Sequence, residues 1–73
     1  MEHKNMTLEQ YSESLKYDLA RYGFTDCPLT DQEIESCYIL GLGLDLAYGI
    51  ACDVNAGFTF LGSYSIHMKQ ESI

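Results

Sequence analysis

Few residues of this chain can do chemistry by themselves. His3 and His67 are its histidines and Cys27, Cys37 and Cys52 its cysteines. A catalytic nucleophile needs a base within reach and a third group to orient that base. Setting His67 against Cys27 or Cys52 gives a Cys–His pair on paper, with no local signature around either thiol. Zinc sites use closely spaced ligands such as Cys-x-x-Cys, whereas nine and fourteen residues separate these three cysteines. An odd cysteine count leaves one unpaired in any disulfide scheme. The expectation is therefore three reduced, packed thiols and a protein without catalytic activity, metal or cofactor.

Two segments imitate ligand loops. "DLAYGIACDVNAG", residues 45–57, is acidic and contains Asn and Gly. It lacks the alternating oxygen ligands and closing Glu of a calcium loop. "GLGLDLAYG", residues 41–49, has the glycines of a phosphate cradle, but no Lys follows and its neighbours are acidic, which opposes phosphate. These glycines read as turn or close-packing positions. Asn5-Met6-Thr7 fits the glycosylation pattern, which matters only in a secreted chain. "MEHKNMTLEQ" has no apolar run of the kind a secretory leader carries, and no stretch approaches the roughly 18 apolar residues of a membrane span. A cytoplasmic location is expected.

Charge is more informative. The net charge is −7 over 73 residues, and between Arg21 and Lys69 no base interrupts six acids: Asp26, Asp31, Glu33, Glu35, Asp45 and Asp53. Affinity for nucleic acid comes largely from Lys and Arg neutralising phosphates, so direct nucleic-acid binding is not expected. The same field attracts a basic protein or nucleoprotein complex and speeds the encounter.

Helical periodicity supplies the scaffold. Thr7 and Gln10 form a capping box, and Met6 is placed to staple against Tyr11. Leu8, Tyr11, Leu15, Leu19 and Tyr22 then recur at three- and four-residue steps, and Gly23 is a left-handed stop that lets Phe24 fold back on Leu19. Thr30 with Glu33, and Leu29 with Ile34, repeat both starting devices, so a second helix begins at Asp31. Cys37, Leu40, Leu44, Ala47, Ala51, Val54, Phe58 and Leu61 continue as a helical seam. A break near "GLGL", with Asp45 capping a third helix, preserves this phase. From 58 to 68 a helix competes with a hairpin turning at Gly62-Ser63; the helix is preferred because a lone hairpin is marginal. The expected fold is all-α, one domain over 1–73, a small bundle of three to four helices with 1–6 and 69–73 frayed. The alternative is α+β with a C-terminal β-hairpin at 58–68. So short a chain has a marginal core, which a partner or self-association as a homodimer would complete.

On a helical wheel Asp31, Glu35, Asp45 and Asp53 gather opposite the seam, with Tyr38, Tyr48 and Leu42 nearby. These seven residues are the candidate partner-binding surface, the acids supplying charge and the tyrosines contact area. A merely solvated face accounts for the same acids. In size and charge the chain resembles the small acidic proteins of phages and mobile elements that block restriction or CRISPR complexes, a resemblance of class without a shared motif. It implies an inhibitor or regulator that occupies a basic, nucleic-acid-binding surface. The competing expectation is a helical homo-oligomer, structural or regulatory, whose small residues Gly43, Ala47 and Ala51 pack two copies together while the acids face solvent.

Overall fold

The computed structural model describes residues 6–71, and it is all-helical: α1 (Leu8–Arg21), α2 (Asp31–Ile39), α3 (Leu44–Asn55) and α4 (Phe60–Glu71). No strand occurs among the described residues, so the hairpin alternative is not supported.

The first two helices begin with complete capping boxes. Thr7 Oγ1 accepts from the Gln10 N–H at 3.1 Å while Gln10 Oε1 accepts from the Thr7 N–H at 3.0 Å. Thr30 and Glu33 repeat the exchange at 3.1 and 2.9 Å. Each box satisfies donors that a helix start would otherwise leave open. Three helices also stop alike. Gly23, Gly41 and Gly57 all have positive φ. The residue after each returns its N–H to the helix: Phe24 to Leu19, Leu42 to Cys37 and Phe58 to Asp53, at 3.0 to 3.1 Å. This Schellman closure favours glycine, because its left-handed backbone is strained for residues with a Cβ.

Two expectations about ends are corrected. Gly43, not Asp45, is the N-cap of α3, and no side chain caps it. Asp45 stands two positions further in, where its charge meets the positive end of the helix dipole. The chain from Lys69, expected to fray, continues α4 to Glu71, and Met6 packs against the core. The rest of the expected frayed ends, 1–5 and 72–73, lies outside the described residues.

The core is Tyr11, Leu15, Leu19, Leu29, Ile34, Cys37, Leu42, Ala47, Ile50 and Ala51. α3 packs against both α1 and α4, and α1 also against α2. The Tyr38 hydroxyl, late in α2, donates to the Met6 carbonyl at 2.6 Å, while Lys16 in the second half of α1 pairs with Asp31 at the start of α2. The two helices are therefore antiparallel. The Tyr11 hydroxyl donates to the Leu42 carbonyl at 2.8 Å, pinning the α2–α3 turn to α1. The helical seam is only partly internal. Cys37, Ala47 and Ala51 are buried, but Leu40, Phe58 and Leu61 are exposed. The small residues expected to join two copies are used within one: Ala47 and Ala51 are fully covered by the chain's own helices.

Candidate partner-binding groove

The antiparallel pairing of α1 and α2 leaves an open groove between them, about 970 Å³, with Leu8 and Ile34 among its lining. Glu9 and Glu13 line it from α1, and Asp31 and Glu35 from α2. Each pair is spaced i, i+4, so each stands one turn apart along its own helix. Lys16 is the one base in this lining, with its Nζ 3.7 Å from Asp31 Oδ1. The side chain of Asp31 is 96% exposed, and that of Lys16 48%. An ion pair this open is worth little, roughly 0–1 kcal/mol.

The expected acidic surface is divided by this geometry. Asp31 and Glu35 share the groove. Asp45 is exposed elsewhere, beside a hollow formed by the α2–α3 turn and His67. Asp53 is turned inward: its Oδ2 accepts from Ser63 Oγ at 2.8 Å and lies 3.1 Å from His67 Nε2. Leu42 is a core residue, drawn in by the Schellman closure of α2. Tyr38 is half-buried, with its ring 5.4 Å from that of Tyr11 and its hydroxyl bonded to Met6. Tyr48 is half-buried too, with its ring centroid 5.3 Å from that of Tyr22. Leu42 is therefore covered by the fold, Asp53 is engaged by Ser63 and His67 while its side chain stays 35% exposed, and Tyr38 and Tyr48 are engaged in packing. Glu9, Glu13 and Lys16, not singled out from the sequence, join Asp31 and Glu35 in the groove. Their signal was present as a polar stripe at i, i+4, i+7 along α1, but only the pairing with α2 sets it opposite Asp31 and Glu35.

The cluster of Asp53, Ser63 and His67 contains the residue types of a hydrolytic triad in a different arrangement. In a triad the imidazole stands between carboxylate and hydroxyl. Here the carboxylate holds both partners, and Ser63 is 0% exposed. This arrangement fastens α4 to α3. Gly49 belongs to it, because a Cβ there would meet His67 Cε1 at 3.3 Å. Among the described residues, no three His, Cys, Asp or Glu side chains are grouped to hold a metal.

All three cysteines are free. Burial, then the charge of Glu33, pushes the Cys37 thiol up from 9.0 to about 11. Burial also raises the Tyr11 phenol well above its ordinary value, with Cys37 adding to the effect. The Tyr48 phenol is raised by desolvation first and then by its hydrogen bond with Cys52. No described helix is long and apolar enough to cross a membrane. No protein-family model matches the chain, and no curated protein or solved structure matches it either.

Proposed function

We propose that this is a non-catalytic binding protein whose α1/α2 groove takes a Lys- or Arg-rich element of a partner protein or nucleoprotein complex. In its specific form the reading is an inhibitor or regulator of a nucleic-acid-handling machine, of the anti-restriction or anti-CRISPR kind, acting in the cytoplasm. The observation that supports it is the placement of Glu9, Glu13, Asp31 and Glu35 around one groove with a single base among them. Carboxylates so placed compete with phosphate for the same cationic side chains. The net charge of −7 would speed encounter with such a surface at low salt.

The test is capture of a defined basic target from host lysate across a salt series, beside a variant carrying Glu9→Gln, Glu13→Gln, Asp31→Asn and Glu35→Gln. Capture should fall with salt and disappear in the variant, and the wild-type protein should displace nucleic acid from the captured target. Equal capture by the variant would remove the reading.

The homo-oligomer also keeps one supporting observation. Phe58, Leu61 and Ile66 are exposed in a stretch, residues 54–68, that carries no Asp, Glu, Lys or Arg. Self-association would use this neutral α3–α4 corner rather than the covered Ala47 and Ala51. Light scattering over a concentration series checks it, and a concentration-independent monomer mass would end it.

A further inference from the structure

We propose that Lys16 is a built-in competitor for the α1/α2 groove, holding the place that an arginine of an incoming amphipathic helix takes. The inference rests on the groove being the partner site, and it adds what occupies the groove and what regulates entry.

The occupant follows from shape and charge. The groove combines the half-buried Leu8, beside the buried Ile34, with carboxylates on both walls. An extended peptide laid there would find no sheet edge on either helix, so its backbone N–H and C=O groups would add no bonds to the protein beyond those it keeps with water. A helix satisfies its own backbone. Its side chains at i and i+4 repeat at about 6 Å along the axis, the same step that separates Glu9 from Glu13 and Asp31 from Glu35. Apolar residues on its inner face would cover Leu8, and flanking arginines would reach both walls. Arginine suits better than lysine because its planar fork can bond a carboxylate through two N–H groups.

Lys16 fits the competitor role on two counts. Its contact with Asp31 is long, 3.7 Å, and open to water, so an arriving guanidinium loses little by replacing it. Lys16 also lines the adjoining hollow beside Leu19 and Phe24, where Asp26 is exposed. The displaced ammonium therefore has a second carboxylate on its other side. Removing the lysine should tighten binding, the reverse of what deleting a contact residue does.

The experiment titrates the full chain with an alanine-based helical peptide that has leucines on one face and arginines four apart on both flanks. A proline-interrupted peptide of matched charge and spermine serve as comparisons, all followed by calorimetry at low salt. The helical peptide should bind, Glu13→Gln and Asp31→Asn should each weaken it, and Lys16→Gln should tighten it up to about fivefold, the range open to an exposed pair. If the acid variants weaken binding while Lys16→Gln leaves it unchanged or weaker, the competitor role is overturned and the groove reading stands. Equal binding of the proline-interrupted peptide or of spermine overturns the helical occupant. Failure of every cation to bind overturns both the occupant and the groove reading. Matching melting curves for wild type and Lys16→Gln exclude a folding defect as the cause.

Discussion

The α1/α2 and α3/α4 pairs dispose of their carboxylates in opposite ways. In the first pair both helices start with complete capping boxes, and apolar stripes do the joining. Glu9, Glu13, Asp31 and Glu35 are left at the rim of a groove. In the second pair α3 starts on an uncapped glycine. α4 has half a box, with Thr59 Oγ1 accepting from the Gly62 N–H at 3.0 Å and glycine where the answering Glu or Gln would stand. Apolar residues pack there too, Phe60, Tyr64 and Met68 among them, but the joint also takes in a carboxylate, Asp53, bonded to Ser63 and beside His67. The difference lies in one residue: Glu9, Glu13, Asp31 and Glu35 stay clear of the helix joint, as Asp45 does on α3, whereas Asp53 takes part in it.

The largest test of that contrast exchanges the two kinds of acid for alanine. Asp53→Ala strands the buried Ser63 hydroxyl, and an unsatisfied buried group costs roughly 1–3 kcal/mol. Asp31→Ala should change stability by no more than about 0.5 kcal/mol, as open surface sites do. Urea melts of both variants measure this, and equal losses would break the comparison.

Alkaline pH probes the first pair through Tyr11 on α1 and Cys37 on α2, with Tyr48 on α3 the raised group outside it. Tyr11 and Cys37 stay protonated in the fold to higher pH than in the unfolded chain. Their contribution is therefore full below the ordinary thiol range and lost as pH rises from 9.0 to about 11 for Cys37, an effect on the order of 2 kcal/mol. Melting midpoints should fall over that window, and Cys37→Ala should flatten part of the fall.

Capping separates the halves more gently. Thr30→Ala removes one half of a reciprocal box and should cost about 1 kcal/mol. Thr59→Ala, in the half box, should cost somewhat less in the same melts.

The smallest effect is expected at Gly49. A methyl there meets His67 Cε1 at 3.3 Å, while alanine gains about 1 kcal/mol of helix propensity. Net stability of Gly49→Ala should stay within about 0.5 kcal/mol. The cost should appear in NMR instead, as a shifted His67 Cε1–H signal when the ring moves off Asp53.

How far the sequence reached differs along the chain for a physical reason. The starts of α1 and α2 and the stop at Gly23 were legible because capping boxes, staples and Schellman glycines act between residues at most five apart. The helical choice for 58–68 was harder to read, since Gly62-Ser63 also suits a hairpin turn; Thr59 decides it by capping α4. The start of α3 was misassigned to Asp45 because an acid near a helix start fits either the cap or the first turn, and the backbone at Gly43 chose the turn. Among the candidate residues, Asp31 and Glu35 share the groove, while the burial of Leu42 and the engagement of Asp53 by Ser63 and His67 were not legible.

By itself the sequence determined the helical character, the starts of α1 and α2, the stop of α1 and the net charge of −7, since these follow from local hydrogen bonding and from composition. Only the tertiary structure decided which acids meet. Helical phase puts Asp31 and Asp53 on one notional stripe, but the turn at Gly41–Gly43 breaks that stripe in space. α2 then carries Asp31 to the wall of α1, and α3 carries Asp53 under Ser63 and His67. Periodicity fixes directions within one helix, and the relative placement of two helices depends on contacts between residues far apart in the chain.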